Sequence, residues 1–94
     1  MSEVLKLAHK VSRAPKHLAT EVDGNIILMS VEKGVYCGLD DIGSDVWRRL
    51  AQPQSVAAIC DALIADYHGE REQIIADVLE LLTALRRQGL VDVG

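Results

Sequence analysis

Short, largely apolar runs separated by turn signals fill residues 18 to 39, a pattern typical of consecutive β-strands. Two turn signals divide this stretch. Asp23-Gly24 between two apolar runs is typical of a two-residue hairpin, because both turn residues must adopt positive φ. Glu32-Lys33-Gly34 suits a three-residue loop that ends in a left-handed glycine. The pattern therefore predicts an antiparallel meander with strands at residues 18–22, 25–30 and 35–39.

The two loops also predict which strand residues share a face of this sheet. The two-residue turn places Leu18 opposite Met29, and the three-residue loop places Met29 opposite Cys37. The face predicted to be the core side comprises Leu18, Ile27, Met29, Val31, Val35, Cys37 and Leu39. The other face comprises Ala19, Glu21, Ile26, Leu28, Ser30, Tyr36 and Gly38. It is more apolar than a solvated face, so it is either covered by the N-terminal arm or exposed as a recognition surface.

After residue 39 the hydrophobic period becomes helical, and three helices are predicted. Their boundaries follow from an Asp40 or Asp41 cap, a break at Gln52-Pro53-Gln54, a Ser55 cap, a glycine C-cap at His68-Gly69, and a third helix from near Arg71 to Gln88. Strands followed by helices exclude a parallel sheet and predict an α+β, winged-helix-like fold with a three-stranded antiparallel sheet followed by three helices. Residues 1–16 are predicted to be an N-terminal arm or an extra strand, and residues 17–94 the domain itself.

The apolar face of the third helix is unusually wide. Its members are Ile74, Ile75, Val78, Leu79, Leu81, Leu82 and Leu85. They span an arc of roughly 160° at ~100° per residue, whereas a helix packed on one surface needs a stripe only a little over ~100° wide. The surplus predicts that this helix contacts a second surface beside the core.

Charge and composition narrow the choice of partners. The net charge is −4, and after residue 33 five basic residues stand against ten acidic ones, which disfavours nucleic acids and anionic membranes. No apolar run approaches the ~20 residues of a membrane span, and residues 1–6 lack the layout of an export signal. Because the two cysteines are isolated, a reducing cytoplasm fits them better than a disulfide scaffold.

No catalytic or metal-binding set stands out. His9, His17 and His68 lie in unrelated contexts, and helix capping accounts for the adjacent aspartates at 40 and 41. Cys37 lies in a predicted strand with no histidine near it in sequence. The sequence therefore predicts a protein that is not an enzyme and that needs no cofactor and no metal.

A winged helix could also bind DNA, and this alternative has to be weighed. DNA affinity comes largely from Lys and Arg contacts with phosphates. The bases of the third helix lie at its ends, whereas its middle, with Asp77 and Glu80, is acidic and aliphatic. The phosphates along a DNA groove would repel these acidic residues, so the charge pattern disfavours DNA binding.

The last strand of the meander, at residues 35–39, is the feature that points to a partner. It lies at an edge of the sheet, where one side of its backbone is unpaired, and it contains neither proline nor charge. Gly38 would let another backbone approach closely. An open edge beside the wide apolar face of a helix is the geometry of β-strand addition by an extended peptide. Two alternatives remain: residues 4–11 cover the edge, or a second copy of the chain pairs with it as a homodimer.

The sequence also resembles a known family. The resemblance covers residues ~17–93 and is carried by Ile27-Leu28-Met29, Gly34-Val35-Tyr36-Cys37-Gly38-Leu39-Asp40, Val46-Trp47, Ser55-Val56, Asp77-Val78, Leu81-Leu82, Leu85 and Gly89-Leu90-Val91. Their joint order resembles the PqqD-like family, which contains the recognition elements for leader segments of ribosomally made, modified peptides.

This resemblance implies that the third strand and third helix clamp an extended leader peptide without catalysis and hand the precursor to a separate enzyme. The implied peptide-binding residues are Val35, Tyr36, Cys37, Gly38, Leu39, Ile74, Asp77, Val78 and Leu81. Two branches of the family compete. One is the stand-alone leader-binding protein of lasso-peptide clusters, which works with a leader peptidase, and the strand end at residues 36–40 and Val46-Trp47 look more like it. The other is a peptide chaperone that serves a radical SAM enzyme in pyrroloquinoline quinone biosynthesis.

Overall fold

The computed structural model describes residues 4–94. The elements in chain order are β1 (Lys10–Arg13), β2 (His17–Val22), β3 (Asn25–Ser30), β4 (Val35–Gly38), α1 (Asp41–Arg49), β5 (Gln54–Ser55), α2 (Val56–Tyr67), α3 (Arg71–Arg87) and β6 (Val91–Val93). Two antiparallel sheets have the strand orders β5-β1-β6 and β2-β3-β4. The predicted α+β, winged-helix-like fold is confirmed, and the small sheet around β1 is an addition to it.

The first hairpin has the predicted register. Asp23 and Gly24 both adopt positive φ, at 53° and 85°. Val22 pairs with Asn25 and Leu18 with Met29. The Asp-Gly dipeptide therefore forms the two-residue turn that its backbone preferences favour.

The predicted register of the second hairpin is wrong by one residue. Ser30, rather than Val31, pairs with Val35, so the loop contains four residues instead of three. Ser30 holds the loop, since its carbonyl oxygen accepts the Gly34 N–H at 2.8 Å and its Oγ accepts the Lys33 N–H at 3.3 Å. Val31 instead donates its N–H to Lys16, just before β2. These bonds keep Val31 out of the β3–β4 ladder.

The predicted core face is wrong for β2 and β3. Leu28 is fully buried and Ile26 nearly so, whereas Leu18 and Ile27 are 57% and 38% exposed. Both faces of β3 carry apolar residues, so the periodicity of the sequence could not decide which face meets the helices. On β4, the one-residue slip brings Cys37 opposite Leu28 on the core side.

The described part of the N-terminal arm, residues 4–16, does not cover the edge of the meander. In β1, Val11 pairs with Gln54 of β5 and with Val93 of β6. Before β1, the carbonyls of Leu7 and His9 accept N–H groups at the start of α2. The alternative in which residues 4–11 cover the β4 edge is therefore wrong.

The helix boundaries follow the predicted capping residues with one difference. The Asp40 carboxylate accepts the Gly43 N–H at 2.7 Å, and the Ser55 hydroxyl accepts the Ala58 N–H at 3.1 Å. At the end of α2 the left-handed residue is His68, with φ of 51°, rather than the predicted Gly69. Helix α3 begins at Arg71 as predicted and ends at Arg87, with the positive-φ Gly89 just beyond it.

Trp47 joins the two sheets to the helices. It is 1% exposed in the centre of the core. The Arg13 guanidinium of β1 lies 4.7 Å from the centre of its ring, and the same side chain donates to the Trp47 carbonyl at 2.7 Å. The ring of His17, the first residue of β2, meets the indole edge-on at 5.1 Å. Large aromatic rings buried in this way contribute strongly to the stability of a core.

Candidate functional site

Strand β4 has one open edge. It pairs with β3 alone, and within residues 4–94 no other strand lies beside it. Leu39 donates its N–H to Ile26 of β3 at 2.8 Å. Because partners alternate along an antiparallel ladder, the backbone of Cys37 also faces β3, whereas the N–H and C=O groups of Tyr36 and Gly38 point outward. The open edge therefore presents the backbone groups of two residues, without a proline or a charge among them.

Helix α3 runs beside β4 in the opposite direction. Just before the strand, Lys33 Nζ donates to the Arg87 carbonyl at the end of the helix, at 2.6 Å. Just after the strand, Asp40 shares a groove with Asp77 and Leu81 in the middle of the helix. The two ends of the strand thus lie beside the end and the middle of α3.

The groove between α3 and the segment after β4 has a volume of about 440 Å³. Its lining residues are Asp40, Ile42, Gly43, Asp77, Glu80, Leu81 and Ala84. Their apolar side chains suit an aliphatic ligand group, and the three carboxylates make the groove anionic. A second depression of about 520 Å³ continues from Asp40 and Ile42 past Asp41 and Asn25 to Tyr67. Because they share Asp40 and Ile42, the two depressions together form a surface long enough to contact more than one side chain of a ligand.

Space is tight around Gly43, where α1 begins beside this groove. A β-carbon at this position would lie 3.1 Å from the Asp40 carboxylate and 3.3 Å from the Leu39 β-carbon. The same carboxylate accepts the Gly43 N–H. A larger residue at this position would therefore have to displace the capping carboxylate or the Leu39 side chain slightly.

The structure places the nine predicted site residues in four groups. Asp77 and Leu81 line the groove, and Tyr36 and Gly38 form the open edge. Val35 and Cys37 are half-buried. The remaining three side chains, of Leu39, Ile74 and Val78, are buried in the core and support the groove from within.

The prediction omitted several lining residues. Glu80 and Ala84 lie three and seven positions after Asp77, so helical spacing alone would have found them. Asp40, Ile42 and Gly43 come from α1, and no local signal connects them with α3. Their place in the groove is a consequence of tertiary packing.

Two histidines of the described chain are hydrogen-bonded to the backbone, and metal-ligating side chains do not cluster. Within residues 4–94 no cluster of three or more metal-ligating side chains occurs. His17 Nδ1 lies 2.7 Å from the Ala14 carbonyl, and His9 Nδ1 accepts the Lys6 N–H at 2.9 Å. No helix of the described chain is long and apolar enough to span a bilayer.

Cys37 provides a chemical probe of the β4 edge. Burial raises the pKa of its thiol, so the reactive thiolate is less populated at neutral pH than in a free cysteine. We expect iodoacetamide at pH 7.5 to alkylate Cys37 more slowly than it alkylates a short unstructured cysteine peptide. Cys60, which is buried and whose thiol pKa is also raised by burial, should react more slowly still. Mass spectrometry of timed aliquots measures both rates, and a Cys37 rate equal to that of the peptide would contradict the expectation.

Comparisons with known proteins agree with this architecture. The family model described as coenzyme PQQ synthesis protein D (PqqD) matches residues 25–91. The solved structure of TbiB1 in complex with the TbiA(beta) leader peptide is 27% identical, with a TM-score of 0.78 over 86% of this chain and 94% of that chain. A lasso peptide synthetase B1 complexed with the leader peptide is 24% identical and shares the fold, with a TM-score of 0.75 over 87% of this chain and 96% of that chain. A search of curated proteins found no match. Because the family model covers more than half of the sequence, including the open strand and the helix beside it, the chain belongs to the PqqD family.

Proposed function

We propose that this protein binds the leader segment of a ribosomally made precursor peptide by β-strand addition to β4. The observation that carries the proposal is the open edge of β4, where Tyr36 and Gly38 present unpaired backbone groups beside the groove of α3. Main-chain hydrogen bonds at such an edge provide affinity, and pockets for alternate side chains provide selectivity. The similarity to TbiB1, solved with a leader peptide, supports the same ligand class here.

If the leader adds as an antiparallel strand, its direction and the alternation of its side chains follow. An antiparallel strand on β4 would run from the Gly38 end towards the Val35 end. Leader side chains directly opposite Cys37 would lie on the core side of the sheet, which is the side of α3. Residues that precede the added strand would continue past Asp40 into the acidic groove, which favours uncharged or basic side chains there.

We further propose that the protein is non-catalytic and acts as a chaperone that delivers the precursor to a separate enzyme. Holding the leader raises the effective concentration of the precursor near that enzyme, without any chemistry by the binding domain. The similarity to a lasso peptide synthetase B1 favours the lasso-peptide type, in which we propose that the enzyme is a leader peptidase. The family description favours a second candidate, delivery to a radical SAM enzyme in pyrroloquinoline quinone synthesis. The two free thiols are consistent with the cytoplasmic location that we propose.

Three other partners compete with a leader peptide. Pairing of β4 with its own copy would use the same edge and give a homodimer, which a leader peptide would dissociate. Binding to DNA is disfavoured because the exposed groove residues of α3, Asp77 and Glu80, are acidic. An anionic membrane is disfavoured by the same charges and by the net charge of −4.

The function is tested by two matched variants of α3. Leu81 lines the groove, whereas Leu79, two positions away, is equally half-buried but does not line it. We expect Leu81→Asp to weaken leader binding about tenfold or more, because a carboxylate would replace the apolar contact and add charge to an acidic groove. Leu79→Asp should have a smaller effect on affinity at a similar cost in stability.

The measurement is fluorescence anisotropy with a labelled synthetic leader peptide, taken from the short precursor that the proposed function requires near this protein's gene. Thermal unfolding of both variants establishes the temperature at which each is folded. If folded Leu81→Asp binds as tightly as the unmodified protein, the groove is not part of the binding site. If the unmodified protein does not bind this peptide, the proposed function itself is wrong.

A further inference from the structure

The outer face of the β2–β3–β4 sheet, on the side away from the helices, is apolar, and no other segment of residues 4–94 covers it. Its side chains form two rows across the strands: Leu18, Met29 and Tyr36 in one, and Thr20, Ile27 and Gly38 in the other. Tyr36 is 72% exposed, and a shallow depression of about 350 Å³ lies among five of these residues. Neither row contains a charged residue. Contiguous exposed apolar side chains of this kind are typical of interaction sites.

We propose that this outer face, completed by the bound leader, is the docking surface for the enzyme that processes the precursor. The inference rests on the proposed function, because the leader is part of the surface. The partner is identified by its chemistry: it must offer an uncharged, apolar surface, since a charge placed against these two rows would be desolvated without a counter-charge.

Side chains of an added leader strand would point alternately to the outer face and towards the groove of α3, and so connect these two surfaces. In an antiparallel pair, residues directly opposite each other project to the same face. Leader residues opposite Tyr36 and Gly38 would therefore project to the outer face and extend both rows by one position. The leader residue between them would project towards α3. One peptide would thus contribute to the binding groove with one set of side chains and to the outer face with the other.

The size of the face argues for a transient partner that recognises the loaded state. The two rows contain six residues, whereas a stable interface takes about 20–30 residues from each side. Alone, the face is too small to hold a second copy firmly. With the leader strand in place it becomes larger and continuous with the precursor, so that an enzyme could distinguish the loaded protein from the empty one and release it after processing.

The test uses lysine substitutions on the outer face. Leu18 and Ile27 lie on β2 and β3, away from the open edge, and both are exposed, so Leu18→Lys and Ile27→Lys should fold normally. The matched control is Val4→Lys, which changes an exposed apolar residue of the N-terminal arm. Each protein is titrated with the labelled leader peptide described above. Each is then supplied at limiting concentration to the processing enzyme that the proposed function requires, with the full precursor as substrate.

We expect the two outer-face variants to bind the leader with unchanged affinity but to support processing about tenfold more slowly, because a lysine must be desolvated in the apolar contact. Val4→Lys should support the normal rate.

Normal processing by both outer-face variants would overturn the docking proposal and leave leader binding intact. Loss of leader affinity in these variants would overturn it as well. Sedimentation that shows a dimer of the unmodified protein, dissociated by Ile27→Lys, would assign the face to a second copy instead. Failure of the unmodified protein to bind the leader would refute both proposals together.

Discussion

Replacing Gly38 by proline is expected to weaken leader binding about tenfold or more while the domain stays folded. The Gly38 N–H points away from β3, so its removal breaks no bond of the β3–β4 ladder. An added strand would lose one main-chain hydrogen bond, with a net contribution of about 0.5–1.5 kcal/mol. It would also meet the proline ring, which occupies the position of the missing hydrogen. The affinity is measured by anisotropy with the labelled leader peptide, and folding by circular dichroism.

Two controls separate the edge from the strand itself. Gly38→Ala keeps the N–H, and no atom lies within 4 Å of the added β-carbon, so leader affinity should stay near that of the unmodified protein. Cys37→Pro removes a donor that faces β3 and should destabilise the sheet rather than affect binding alone. Binding of the leader by Gly38→Pro as tightly as by Gly38→Ala would show that the peptide does not add to β4.

A second large effect is expected in the core, where two neighbouring residues of β3 should respond very differently to truncation. Leu28 is 0% exposed, so Leu28→Ala should lower the free energy of unfolding by about 2–5 kcal/mol, the usual cost of such a cavity. Because a small domain has only about 5–15 kcal/mol in total, this change is severe. Ile27 is 38% exposed on the outer face, and Ile27→Ala should cost about 1 kcal/mol or less.

Urea denaturation followed by circular dichroism measures both changes. Unchanged slopes of the two transitions would show that the midpoints report stability and not a change in the denatured state. Equal costs for the two variants, or a larger cost for Ile27→Ala, would mean that β3 presents the opposite face to the helices. The proposed outer docking surface would then have to be abandoned, because its residues would lie in the core.

Local chemistry explains why the first hairpin and the helix caps could be predicted. Asp23-Gly24 has few alternatives to a turn with two positive φ angles, and the Asp40 and Ser55 side chains reach N–H groups three residues away. Each of these structures is determined within a few residues of sequence. The same holds for the start of α3 near Arg71, after the left-handed His68.

Two features of the sheet could not be predicted because they depend on distant partners. The second loop has four residues because buried Ser30 binds two of its N–H groups, and because Val31 bonds instead to Lys16, which precedes β2. The choice of core face depends on the helices, since Ile26 and Leu28 compete with Ile27 and Met29 of similar hydrophobicity. Alternation indicates a strand with two faces but does not say which face is covered when both are apolar.

The candidate site shows the same division. Its open strand at 35–38 and its helix residues Asp77 and Leu81 could be predicted, because an uncharged last strand and a wide helical stripe are visible in sequence. The contribution of α1 to the groove could not, because Ile42 and Gly43 meet α3 only after the chain has folded. An apolar residue such as Val78 fits helix packing and peptide binding equally well in the sequence, and only its burial in the structure assigns it to packing.

The environment of Trp47 has a practical consequence for all of these measurements. It is the single tryptophan of the chain, enclosed between Arg13 and His17, and it does not line the groove. Its ultraviolet emission should therefore respond when the molecule denatures and stay nearly constant when a peptide occupies the β4 edge. The protein thus carries an intrinsic optical sensor of its own integrity, spectrally separate from a dye on the ligand, so that both signals can be recorded from one cuvette.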